Sequence, residues 1–279
     1  MSRETNIEIF EDTQKFYSHN PKLKSSIDTT IKYTQIISET DTILCENTNV
    51  FDTEIVITKD RTFKAGQQLF KEGYNSVCVH NFASATNPGG GVVKGSSAQE
   101  ECLCRCSTLY PTLNTKECMQ KFYYPHRKQN AIHNGDCIYT PNITVFKSDV
   151  TYPELMAESD WYNVNVITCA APNLRDNPNN KWNTDENATK VTLTQKELYE
   201  IHKFRLQRII DIAYANNNEC LVIGAFGCGA FRNEPSIVAR AMKDTLAQNK
   251  GKFKKIVLAI YCSPKDTTNF EVFKRVFGL

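Results

Sequence analysis

SVCVHNFASATNPGGGVVKGSSAQEECLCRC, Ser76 to Cys106, decides how this chain is read. Its first seven residues are a short, mostly apolar run without helical period, which reads as a buried strand. Three consecutive glycines follow at 89–91, and then EECLCRCSTLYPTL, a helix expected to stop near Pro111. Outward from this unit the same texture repeats. CIYTP, ITVFKS and NVNVITCAAP read as strands. TQKELYEIHKFRLQRIIDIAYANN reads as a helix, with Thr194 and Glu197 as a capping box and Leu198, Ile201, Ile209 and Ile212 on one stripe. CLVIGAF is a strand running into GCGAFRNEP, followed by a helix with Val238, Met242 and Leu246 on one side. KIVLAIYC is the last strand, and Thr268 and Glu271 are expected to cap a final helix carrying Phe270, Phe273 and Phe277.

Strand, loop, helix, strand in this order implies an α/β fold: a mixed, mostly parallel sheet flanked by helices on both faces. Such sheets bind ligands at loops leaving the carboxyl ends of their strands. The residues before Ser76 read differently. Ile27 and Ile31 lie at helical spacing, residues 62–70 form a short amphipathic helix ended by Gly73, and EIVIT at 54–58 is a strand between them. The expected division is a mainly helical N-terminal extension, 1–74, and a core, 75–279.

At 279 residues the chain can bury one large core, or one core plus an appended region. Its 41% hydrophobic and 23% charged content is that of an ordinary globular protein and excludes disorder of the whole. A net charge of +2 is too small for a protein that holds long nucleic acid by phosphate contacts alone. Acids begin at Glu4 and no apolar run follows, so no signal peptide is expected, and no stretch reaches a membrane span. The expected location is intracellular: cytoplasmic or, in a eukaryote, cytoplasmic and nuclear. The eleven cysteines are then reduced thiols, and those in apolar contexts, such as Cys78, Cys169, Cys220 and Cys262, are small buried hydrophobes. Asn142 and Asn187 open glycosylation sequons, which carry no weight without secretion.

Two glycine loops, NPGGG at 87–91 and GAFGCGAF at 224–231, each follow a strand. Glycine permits positive φ and close approach of a ligand to the main chain, and successive N–H groups make a concavity suited to phosphate. Neither loop ends in the lysine and hydroxyl of a P-loop, and neither fits the dinucleotide pattern. Either loop alone could be a tight turn; two on one sheet favour a shared ligand. Glu100 and Glu101 follow the first loop closely. Adjacent glutamates at a helix start can simply complement the helix dipole. Successive helical residues point about 100° apart, so the two cannot flank one bond as paired glycosidase carboxylates do. At most one is a proton donor, its neighbour gripping hydroxyls. A helix N-terminus lowers that donor's pKa, and a bound diphosphate would raise it again.

Cys102, Cys104, Cys106, Cys118, His126, His133 and Cys137 do not match zinc spacing, so no metal is expected. Cys228 has no histidine near it in sequence, and its small side chain suits a crowded loop. Most phenylalanines are core; Phe226 and Phe231, on the second loop, are the ones placed to stack on a base or ribose.

Gly89-Gly90-Gly91, seven residues, then Gln99-Glu100-Glu101 resembles the signature of poly(ADP-ribose) glycohydrolases. VHNFASATNPGGG, QEECLCRCSTLYP, VITCAAPN and GAFGCGAFRNEP resemble the bacterial-type, macrodomain-like branch, over about Thr62 to the C-terminus. The resemblance implies that Glu101 protonates the leaving oxygen of a ribose–ribose bond and that a water steered by the diphosphate attacks the oxocarbenium-like centre. It implies that Glu100 and Asn87 hold that ribose, and that Gly89, Gly90 and Gly91 wrap ribose and diphosphate. Gly227, Cys228, Gly229, Ala230 and Phe231 would form the second diphosphate loop, and Asn81, Phe82 and Ala83 would lie near the adenine or ribose edge. It implies no metal and no cofactor. The expected substrate is ADP-ribose polymer or ADP-ribosylated protein, with nucleic acid only if it is itself ADP-ribosylated, and the expected state is a monomer. A mono(ADP-ribosyl) hydrolase is the alternative within the same chemistry, and a non-catalytic ADP-ribose reader the alternative outside it. Binding alone needs the glycine loops but no acid, so the intact Gln99-Glu100-Glu101 argues against the reader.

Overall fold

The computed structural model describes residues 1–179, 188–263 and 266–279. Its centre is a seven-stranded sheet in the order β1-β4-β5-β3-β6-β7-β2. The strands are β1 (Gln35–Ile37), β2 (Glu54–Thr58), β3 (Val77–Ala83), β4 (Cys137–Val145), β5 (Tyr162–Ala170), β6 (Cys220–Ile223) and β7 (Lys255–Ala259). β5, β3, β6, β7 and β2 run parallel, whereas β4 is antiparallel to both β1 and β5. The helices are α1 (Arg3–His19), α2 (Pro21–Tyr33), α3 (Thr62–Lys71), α4 (Gln99–Cys106), the short α5 (Leu109–Leu113), α6 (Lys116–Cys118) and α7 (Tyr124–Arg127), then α8 (Gln195–Ala215), α9 (Pro235–Gln248) and α10 (Thr268–Phe277).

β3 shows why the sheet is buried on both sides. Val77 and Val79 face a core that also holds Phe10, Phe63, Leu69 and Leu103, from α1, α3 and α4. Cys78 between them faces the other core, with Leu206 and Ile209 of α8, Met242 of α9 and Phe273 of α10. Period-two alternation therefore delivers apolar groups to both faces, which is why the run looks continuous in sequence. The first 74 residues contribute helices and also both edge strands, β1 and β2.

Several details differ from the sequence reading. CIYTP and ITVFKS are not two strands but one, β4, broken in register between Thr140 and Ile143, where Asn142 takes φ +55°. The helix after the first loop ends at Cys106, and α5 restarts before Pro111 rather than stopping there. Thr268 and Glu271 do not cap α10: the N-cap is Thr267, with no side-chain bond. The Thr194–Glu197 capping box is present in full. Of the Asn-rich loop 173–190, residues 180–187, including the Asn187 sequon, lie outside the described residues. No helix among the described residues is long and apolar enough to cross a membrane.

Candidate active site

The parallel strands end on one edge, and the segments that leave them line a single cavity of about 750 Å³. Arg61 follows β2, Ser84 follows β3, Ala171 follows β5, Ala225 follows β6 and Ile260 follows β7. This is the carboxyl edge where open α/β sheets place ligands.

Within the first loop, Gly89 (φ +66°) and Gly90 (φ +59°) take the left-handed region. A Cβ on Gly90 would lie 2.6 Å from Glu101 Oε1. The Gly91 N–H donates to that same oxygen at 2.8 Å. The triple glycine thus wraps the carboxylate directly, and the two oddities of the sequence are one piece of structure. Glu101 Oε2 is buried and has no hydrogen-bond partner. Burial, the largest influence, raises the Glu101 pKa, against the Gly91 N–H and Arg105, which lower it.

Glu100 is fixed by different donors. Ser84 N donates to its Oε2 at 2.7 Å, and Asn81 Nδ2 donates to its Oε1 at 3.2 Å while also reaching Thr168 Oγ1 at 3.2 Å. Burial first, and then the neighbouring Glu101, push the Glu100 pKa up to about 8. Both carboxyls are therefore raised before any diphosphate arrives. Both Glu100 oxygens accept N–H groups, whereas Glu101 Oε2 has no partner, so Glu101 is the member of the pair with an oxygen free to carry a proton.

Gln99 takes a supporting position. Its Oε1 accepts from Phe82 N at 2.9 Å, and its Nε2 donates to His80 O at 2.7 Å and Thr62 Oγ1 at 3.0 Å. It ties the start of α4, which has no side-chain cap, to β3. Asn87 stands off the cavity wall, its Oδ1 accepting from Arg127 Nη2 at 3.1 Å.

In the second loop Gly227 has φ +78°, and a Cβ there would meet Ala171 Cβ at 2.6 Å. Asn233 closes the loop: its N–H donates to Gly227 O at 3.0 Å, its Nδ2 to Pro172 O at 2.7 Å, and its Oδ1 accepts from His202 Nε2 at 2.7 Å. Gly229 has nothing within 4 Å of its missing side chain and faces the cavity. The Cys228 thiol donates to Phe226 O at 3.8 Å, and burial pushes its pKa up, which suits packing rather than nucleophilic attack. The Phe226 ring is wholly buried, 4.5 Å from His80 and 5.3 Å from His202, so it has no face to offer a base. Phe231 is half-buried, with the Arg175 guanidinium 5.3 Å above its ring.

Of the residues singled out from sequence, Phe82, Gly90, Gly91, Gln99, Glu100, Glu101, Phe226, Gly227, Gly229, Ala230 and Phe231 line the cavity; Asn81, Ala83, Asn87, Gly89 and Cys228 do not. Sequence reasoning missed Arg61, whose guanidinium stacks 4.2 Å from the Tyr261 ring, together with Asp149 and Arg175, all on the wall. Arg61 and Tyr261 follow parallel strands, so the rule used for the glycine loops, applied to β2 and β7, would have found them. His126 bonds Asn134 Oδ1 at 2.6 Å, and among the described residues no group of three or more His, Cys, Asp or Glu is placed to hold a metal.

A macrodomain-like sheet with one buried carboxyl pair, enclosed by two glycine loops at its carboxyl edge, defines a glycosidase site for a phosphate-bearing sugar. The chain belongs to the microbial-type PARG family: the profile of that family's catalytic domain matches residues 4–148. The family consists of glycosidases that hydrolyse poly(ADP-ribose). Among solved structures, the poly(ADP-ribose) glycohydrolase of Thermomonospora curvata bound to the inhibitor ADP-HPD is 26% identical, covers 98% of this chain and 99% of its own, and superposes with a TM-score of 0.80. That of Deinococcus radiodurans in complex with ADP-ribose is 27% identical over 90% of this chain and 96% of its own, with a TM-score of 0.74. A comparison with curated protein sequences gives no match.

Proposed function

We propose that this glycosidase releases ADP-ribose from poly(ADP-ribose) with Glu101 as general acid. One observation carries the assignment: Glu101 lines the cavity with its Oε1 anchored by the Gly91 N–H at 2.8 Å, while its Oε2 is buried and unpartnered. A carboxyl with one oxygen fixed and the other holding a proton is what a leaving oxygen requires. In the proposed step, the Oε2 proton moves to the leaving ribose oxygen as its bond to the anomeric carbon breaks. A water then adds to the oxocarbenium-like centre and returns a proton to Glu101. Glu100, held by Ser84 and Asn81, grips ribose hydroxyls. The main-chain N–H groups of the two glycine loops take the diphosphate.

We further infer that residues 1–74 are an extension of the 75–279 core, built into the edges of its sheet. The protein is read as a monomer inside the cell, acting on ADP-ribose polymer or ADP-ribosylated protein. All eleven thiols are free, which supports a reducing compartment.

The test is incubation with labelled poly(ADP-ribose) and, in parallel, with mono-ADP-ribosylated protein. Glu101→Gln keeps the shape and removes the acid; release should slow by roughly 10²-fold or more, the usual worth of a positioned proton donor. Undiminished release by the variant would remove Glu101 from the role. Binding without release by the unmodified protein would make it a reader, and faster turnover of the mono-modified protein would change the substrate class.

A further inference from the structure

We propose that α1 is a positioning element of the active site, with Asn6 as the residue that sets the first glycine loop; this rests on the glycosidase reading above. The buried residues of α1 are Asn6, Phe10, Thr13 and Tyr17, a single helical stripe. A helix that merely covered apolar core would carry apolar groups at all four positions. Here two are polar, fully buried, and bonded to the backbone of the catalytic segment. Asn6 Nδ2 donates to Gly95 O at 2.9 Å. Thr13 Oγ1 donates to Arg105 O, in the last turn of α4, at 2.7 Å.

From Asn6 to the acid the path is short. Gly95 has φ +74°, and a Cβ on it would lie 2.3 Å from Arg3 O, so the first turn of α1 presses on bare backbone. Gly95 is locked to Gly91 because Lys94 N donates to Gly91 O at 2.9 Å and Ser96 N donates to the same oxygen at 3.1 Å. Gly91 N–H then holds Glu101 Oε1 at 2.8 Å. A second strut runs through Arg105, whose Nη1 donates to Ser96 O at 2.7 Å. A third is Phe10, edge-on to Tyr110 at 5.0 Å, whose ring fills the space a side chain on Gly89 would need, 2.8 Å from that Cβ position. The helix thus braces the loop before Glu101, the helix that carries it, and the aromatic beneath the first glycine. Asn6 Oδ1 has no partner, so the side chain is not there to satisfy itself.

Asn6→Leu keeps the burial and deletes the donor. The expected result is a kcat about tenfold lower, since small displacements of an oriented group are costly, with KM and ADP-ribose affinity within about twofold. Amide exchange should rise at 91–96 and stay unchanged in α8 and α9. Calorimetric binding stoichiometry of ADP-ribose counts the folded sites, so loss of folded protein is not mistaken for loss of rate. Thr13→Val, nearly isosteric, should lower kcat by a smaller factor through the second strut. An unchanged kcat in both variants, or a fall in kcat matched by the fall in binding stoichiometry, would overturn the proposal. Inactivity of the unmodified protein on poly(ADP-ribose) would instead overturn the function on which it rests.

Discussion

In the first glycine loop the missing side chains make room for a carboxylate; in the second they make room for the Ala171 and Asn233 side chains and for open cavity. A Cβ on Gly90 would strike Glu101 Oε1 at 2.6 Å, whereas a Cβ on Gly227 would strike Ala171 Cβ at 2.6 Å and one on Gly229 would meet nothing. The first loop is braced from outside by α1. The second is closed from within by Asn233. Similar composition therefore meets two local needs, holding a buried carboxylate and packing against side chains beside open cavity; on the proposed function these become orienting an acid and presenting main-chain N–H groups to an anion.

Gly90→Ala should break this contrast most severely. The alanine must adopt φ near +59° and push on the acid at once. Left-handed backbone costs a non-glycine residue about 1–2 kcal/mol. Displacement of Glu101 should lower kcat by about 10²-fold, in keeping with the sensitivity of oriented groups. Thermal melting and single-turnover release separate the two effects, and a variant with normal kcat would show that the loop does not hold the acid.

The acid itself should reveal its environment through pH. Burial and the neighbouring Glu101 raise Glu100 to about 8, and burial raises Glu101 as well, so the pair still holds a proton at neutral pH. A raised pKa means the proton is lost late: kcat should hold through the range where an ordinary carboxyl has already ionised, and fall only as pH rises further. Glu100→Gln removes the like charge that opposes the last ionisation. Its alkaline limb should begin at lower pH, whatever the cost to absolute rate. A limb that stays in place would mean that burial alone sets the value.

Much of this was legible in the sequence, and the rest was hidden for identifiable reasons. β3, β5, β6 and β7 are short apolar runs bounded by glycine, proline or polar residues, and local pattern suffices for them. β1 is three residues long, too short to show any period. Gly89 to Gly91 and Glu100 to Glu101 were legible as a pair because they lie within one loop and one helix start. Their mutual contact was not, since a glycine's missing side chain gives no hint of what fills the space. Asn6 and Thr13 were invisible for the opposite reason: they interrupt the apolar stripe of α1 and read as noise until the partners, Gly95 and Arg105, are seen across the chain. Arg61 and Tyr261 meet only because the strand order brings β2 beside β7.

The smallest expected effect sharpens the contrast from the other side. Gly229→Ala adds a methyl group where nothing lies within 4 Å and the backbone is not left-handed, so its thermal stability should hold or rise slightly. Replacing glycine where alanine fits stabilises by about 0.4–1 kcal/mol through the unfolded chain. The methyl projects into the cavity, so the cost should fall on ligand: KM should rise about two- to tenfold while kcat changes little, the signature of lost uniform binding. A fall in kcat instead would mean that the second loop also orients the reacting bond, and the division of labour between the two loops would have to be given up.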